Sequence, residues 1–95
     1  EARFILICTP PKSNGWNYYV SKTLSGYPTI VPGYNDMVKG NLSFYSEDSA
    51  KIWIENHKNQ LETIYKKEVI DTIKIIPISL AEIVAAREQI KLEEG

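Results

Sequence analysis

The sequence predicts an α+β fold: a two-layer sandwich with two helices on a mostly antiparallel sheet of about four strands. Three features predict it. Short β-type segments punctuated by Gly, Pro and Asn fill residues 1–45. A stripe of apolar residues at steps of three and four runs from Ala50 to Tyr65. A β-branched run from Val69 to Ser79 then leads into a second helical segment. With 95 residues, 43% hydrophobic and 24% charged, residues 1–95 are expected to form a single domain around one core.

Arg3 to Thr9 is a continuous apolar run closed by Pro10-Pro11, the pattern of a central strand. Lys12-Ser13-Asn14-Gly15 makes the turn, with Asn14-Gly15 suited to positive φ. From Trp16 to Leu24 the chain alternates. Trp16, Tyr18, Val20 and Leu24 fall on one face, and Asn17, Tyr19, Ser21 and Thr23 on the other, so this segment reads as a half-buried strand in a hairpin with the first. Ser25-Gly26 breaks it and Tyr27 to Val31 resumes it. Pro32 to Asn41 (PGYNDMVKGN) reads as a surface loop, and Leu42 to Tyr45 as a short further strand.

Ser46 is the expected N-cap of the first helix, with Glu47 and Asp48 placed where the helix dipole favours negative charge. Ala50, Trp53, Ile54, His57, Leu61, Ile64 and Tyr65 make its inner stripe, and Ile52 lies opposite them in water. Val69 to Ser79 is apolar on both faces, as in a strand covered on each side, and Pro77 belongs at a strand end or on an unpaired flank. Ser79-Leu80-Ala81-Glu82 forms a capping box, from which the second helix runs to Leu92.

No dinucleotide fingerprint, P-loop, zincin or nucleophile-elbow motif occurs, so no cofactor and no catalytic constellation are implied. One His and one Cys cannot assemble a zinc site within the chain. Cys8 sits in the apolar strand, where an inert buried thiol is expected, and a lone cysteine with no disulfide partner suits the cytoplasm. The longest strongly apolar run, Phe4 to Cys8, is too short to span a bilayer, so no membrane association is expected. His57 lies on the inner stripe and is expected to bond one ring nitrogen to backbone at the edge of the core.

The net charge is −1, and residues 1–46 are mildly basic while residues 47–95 are acidic. Trp16, Tyr18, Tyr19, Tyr27, Tyr34, Phe44 and Tyr45 account for seven of the ten aromatic residues. Strand alternation prevents one buried face from hiding them all, so some should reach solvent or a partner. The polar company of Tyr19 suggests an open face, and Tyr34 in a loop of Gly, Pro and Asn suggests a recognition residue.

Aromatic strands, a Gly/Pro/Asn loop and SFYSEDSAKIWIENHK opening a long helix resemble, over residues 16–78, the layout of small accessory proteins of bacteriophages and prophages. That resemblance implies a compact protein that binds and alters a host macromolecule, as a counter-defence or replication-modulating factor, and it carries no site residues across. The expected function is a non-enzymatic module or inhibitor that binds a protein through Trp16, Tyr19, Tyr27, Tyr34 and the Pro32 to Asn41 loop. The alternative is single-stranded nucleic-acid or small-ligand binding by the same aromatics with Lys22 and Lys39.

Overall fold

Ile5 and Leu6 are neighbours on one strand, so their side chains leave opposite faces of the sheet, and they are 2% and 0% exposed. The sheet must therefore be covered on both sides. The computed structural model, which describes residues 1–95, shows how. The elements run β1 (Ala2–Cys8), β2 (Tyr18–Lys22), β3 (Pro28–Val31), α1 (Tyr34–Lys39), α2 (Glu47–Ile64), α3 (Lys67–Ile70), β4 (Lys74–Ser79) and α4 (Leu80–Glu94). The strands pair antiparallel throughout in the order β3-β2-β1-β4. This is the α+β class the sequence predicts.

On one face Leu6, Val20, Phe44 and Ala50 are buried, with Trp53 and Ile54 of α2 packed against them. On the other, Ile5 packs with Met37 and Val38 of α1 and Ile90 of α4. The two long helices thus divide between the faces and the sheet lies between them. α1, which stands where a surface loop was expected, shares the second face with α4. The chain enters α1 through Gly33 in extended conformation, Asp36 occupies the first turn, and Met37 and Val38 turn inward.

Local signals of the sequence reappear as geometry. Asn14 and Gly15 adopt φ of 54° and 82° in the connection between β1 and β2. The Ser46 hydroxyl accepts from the Ser49 N–H at 3.1 Å to cap α2, and the Ser79 hydroxyl accepts from the Glu82 N–H at 3.2 Å to cap α4. On α2, Ala50 and Leu61 are buried and Ile52 is exposed as expected, but Ile64, assigned to the inner stripe, is 49% exposed in the last turn.

Three strand expectations change. Trp16 to Leu24 contracts to β2, with Trp16 outside it. Leu42 to Tyr45 makes only an isolated bridge, at Phe44, which exchanges backbone hydrogen bonds with Phe4 at 2.8 Å each way. Val69 to Ser79 contracts to β4, because α3 takes its beginning and the Thr72 hydroxyl donates to the Val69 carbonyl at 2.7 Å, closing a turn before β4.

Both sheet edges are blunted. Pro77 faces Phe4 across the ladder. Since Phe4 directs its N–H and C=O to Phe44, this is a non-hydrogen-bonded pair, and the missing Pro77 N–H lies on the outer flank. On the outer flank of β3, Pro28 has no N–H, and the Ile30 N–H donates to the Tyr65 hydroxyl at 2.8 Å. No helix is long and apolar enough to cross a membrane.

Leu61 is fully buried, so Leu61→Ala should lower stability by about 2–5 kcal/mol, whereas Ile64→Ala should cost less than about 0.5 kcal/mol. Urea unfolding of both variants checks the assigned helix face.

Candidate functional site

The residues expected to bind a partner do not all form one surface: Trp16 and Tyr19 line one concavity, and Tyr27 lies elsewhere. Trp16 precedes β2 while Tyr27 follows it in the turn to β3, so a strand length separates them. Tyr19 and Tyr34 are together, each partly covered and partly open to solvent. Their rings meet edge to face, 5.7 Å between centroids, half-buried beside Met37 and Val38. Tyr19, expected on an open face, thus stands on a partly covered one. Alternation does set it opposite Tyr18 and Val20, but its face lies under α1, where its neighbour Ser21 is 1% exposed and donates to the Met37 carbonyl at 3.2 Å. Tyr34 likewise belongs to the first turn of a helix and not to a loop.

Trp16 is different, being 74% exposed. The connection that carries it, residues 9–17, is tied down at several points. The Ser13 N–H and hydroxyl both donate to the Pro10 carbonyl, at 3.0 and 2.7 Å, and the Trp16 N–H donates to the Ser13 carbonyl at 3.0 Å. The Thr9 hydroxyl donates to Asn17 Oδ1 at 2.7 Å, and the Thr9 N–H to the Thr72 hydroxyl at 3.0 Å. Trp16 lines a concavity of about 440 Å³ with Gly15, Asn17, Tyr18, Tyr19 and Pro32.

Lys22 and Lys39 meet at a second groove, of about 560 Å³, between the β2–β3 turn and α1. Asp36 lines it as well, and Lys39 Nζ lies 2.7 Å from Glu94 Oε2 of α4. A hydrogen bond to Glu94, together with its charge, raises the Lys39 pKa and commits its cation to a protein carboxylate. None of the aromatics expected to stack bases lines this groove.

Cys8 and His57 are both engaged in packing. Cys8 is fully buried, and burial pushes its thiol up to about 11. His57 stacks on Trp53 with 4.2 Å between centroids, and its Nδ1 sits 2.8 Å from the Trp53 carbonyl, so the proton on Nδ1 is donated to backbone. No group of three or more His, Cys, Asp or Glu side chains is gathered for a metal ion.

One cluster has no sequence signal. Arg3, Asn41, Ser43, Tyr45, Leu80 and Arg87 surround a cleft of about 320 Å³. Its members come from β1, the segment before α2, and α4, so only the tertiary fold brings them together.

The Tyr34 hydroxyl is buried with no hydrogen-bond partner, and burial is the main reason its pKa is raised. Tyr34→Phe should leave stability unchanged or raise it by about 1 kcal/mol, measured as a shift in urea midpoint. Cys8 makes a pH-dependent contribution whose sign is fixed by its upward shift from 9.0 to about 11. The unfolded chain releases this proton first, so the contribution is intact below pH 9 and is lost as pH rises toward 11. Cys8→Ala should flatten the fall in stability over that window relative to the wild type, in unfolding curves collected across it. Comparison of the chain with protein-family models, curated proteins and solved structures finds no match.

Proposed function

We propose that the protein is a non-catalytic, cytoplasmic interaction module that binds and inhibits a protein partner through Trp16 and the concavity beside it. One observation carries the reading: a 74% exposed tryptophan on a loop braced by hydrogen bonds. Exposing so large an apolar ring forgoes the stabilisation of burying it, which a partner can recover. Bracing the loop beforehand lowers the ordering cost of association. Tyr18, Tyr19 and Pro32 supply the walls of a contact in which Trp16 is the anchor.

Tyr34 supports this contact from below, through its ring against Tyr19. Tyr27 lies outside it, at the other end of β2. The resemblance to phage accessory proteins favours a host protein as the partner. The groove of Lys22 and Lys39 gives less support to nucleic acid, because Asp36 and Glu94 stand among its lysines.

Trp16→Ala should change stability by less than about 1 kcal/mol yet weaken partner binding by at least about tenfold. Capture from nuclease-treated lysate by the wild type and the variant, followed by titration of the captured protein, measures both sides. Normal binding by Trp16→Ala would remove this surface. Capture that disappears with nuclease, falls steeply with salt and weakens in Lys22→Ala or Lys39→Ala would replace the protein partner with nucleic acid.

A further inference from the structure

The chain contains two arginines, Arg3 on β1 and Arg87 on α4, and the fold brings both to the cleft closed by Asn41, Ser43, Tyr45 and Leu80. Arginine stays cationic at any working pH, so two guanidinium groups lining one cleft demand an account of what balances them. No carboxylate is among the lining residues, and the one that reaches either arginine is that of Glu1, which pairs with Arg3 from outside the cleft. Arg87 Nη2 donates to Asn41 Oδ1 at 2.6 Å, a neutral acceptor. Arg3 lies with its guanidinium carbon 4.3 Å from the Tyr45 ring centroid and donates from Nη1 to the Ala2 carbonyl at 3.1 Å. The Glu1 carboxylate, on a side chain that is 68% exposed, forms an ion pair with that same Nη1 at 3.4 Å, so Arg87 is the arginine without a carboxylate partner and Arg3 has one that solvent screens.

These contacts hold the arginines in place and leave donors over. The Arg3 side chain is only 13% exposed, packed beneath Tyr45. Asn41 is held in the left-handed region at φ 57°. Since its side-chain oxygen accepts from Arg87, its amide nitrogen remains a donor. The Ser43 hydroxyl adds another at the wall. The cleft therefore presents two fixed planar cations and two neutral donors, while the Tyr45 ring beside them is 79% exposed.

We propose that this cleft binds a phosphate monoester, its dianionic phosphoryl group between Arg3 and Arg87 and its organic part against the Tyr45 ring. Guanidinium forks match phosphoryl oxygens with paired hydrogen bonds, and a dianion balances the two charges where a single carboxylate balances one. The aromatic ring supplies a stacking surface for a base or another planar group. The site is separate from the Trp16 surface and does not depend on it.

Amide chemical shifts of the full isotopically labelled chain test this, with inorganic phosphate, adenosine 5′-monophosphate and adenosine as probes at constant ionic strength set with chloride. Saturable shifts at Asn41, Ser43 and Tyr45 are expected with phosphate and with the monophosphate, the latter binding at least as tightly, and none with adenosine. Arg87→Gln, on an exposed part of α4, should weaken the monophosphate by at least about tenfold while leaving the unfolding midpoint near wild type. Arg3→Lys keeps charge in the more buried position but loses the fork, and should weaken it several-fold. Trp16→Ala, or Lys22→Gln with Lys39→Gln, should bind as wild type. The proposal is overturned by no saturable shift up to about 20 mM phosphate, by an equal response to chloride, by monophosphate binding weaker than phosphate, or by wild-type binding in Arg87→Gln.

Discussion

Phe4 and Phe44 exchange backbone hydrogen bonds at 2.8 Å in each direction, and this pair determines how the rest of the chain is arranged around β1. It occupies the flank of β1 along which β2 would otherwise continue, so β1 and β2 pair only at Ile7 with Tyr19 and Cys8 with Tyr18. The strands then diverge and the segment from Gly40 to Phe44 enters between them. Close approach is what requires glycine at position 40, whose φ of −74° is ordinary. A Cβ there would meet the Ser21 hydroxyl and stand 2.7 Å from the Lys22 carbonyl oxygen. The same insertion buries Leu42 and Phe44 and brings Asn41, Ser43 and Tyr45 beside Arg3. On the opposite flank it allows Pro77 in β4, because Phe4 has no hydrogen bond left to exchange there.

Burial of β1 on both faces decides which aromatics are available to a partner. Tyr19 lies on the face covered by α1, and Phe44 and Trp53 meet on the face covered by α2, 6.0 Å between ring centroids. Trp16 escapes because β2 begins two residues later and the preceding loop satisfies its own polar groups locally. Its exposure thus follows from where pairing starts. The stiffness of its loop follows from short-range bonds among Thr9, Pro10, Ser13 and Asn17, with Thr72 anchoring the start of the loop to the turn before β4.

What was legible in the sequence was what short-range chemistry decides. The Ser46 and Ser79 caps, the positive φ at Asn14-Gly15 and the flank position of Pro77 follow from one residue and its immediate neighbours. Helix α1 was not legible, because six residues between Gly33 and Gly40 hold only two buried apolar side chains, too few for a periodicity. A helix of that length is marginal alone and persists through the packing of Met37 and Val38. Tyr19 is partly covered for a related reason. Alternation predicts the correct direction, but polar neighbours do not make a face wet, since Ser21 is accommodated in the core by its bond to the Met37 carbonyl. At residues 69–73 the β-branched composition resembled strand, yet the turn bonds of Val69, Ile70 and Thr72 prevailed.

Charge shows the same limit most clearly. Along the chain, residues 1–46 carry a basic excess and residues 47–95 an acidic one, which points to Lys22 and Lys39 as the cations available to a ligand. Folding redistributes that charge. Glu94, from the acidic half, reaches Lys39 at 2.7 Å in an exposed ion pair. Arg87, also from the acidic half, crosses to Asn41 and joins Arg3 from the basic half. Arg87, held by a neutral amide oxygen, keeps its charge for a ligand, whereas Lys39 must break a 2.7 Å ion pair to bind and Arg3 a longer one, at 3.4 Å, to the exposed Glu1. The cation without a carboxylate partner is therefore Arg87, which reaches the cleft of Arg3 from the acidic half of the linear sequence.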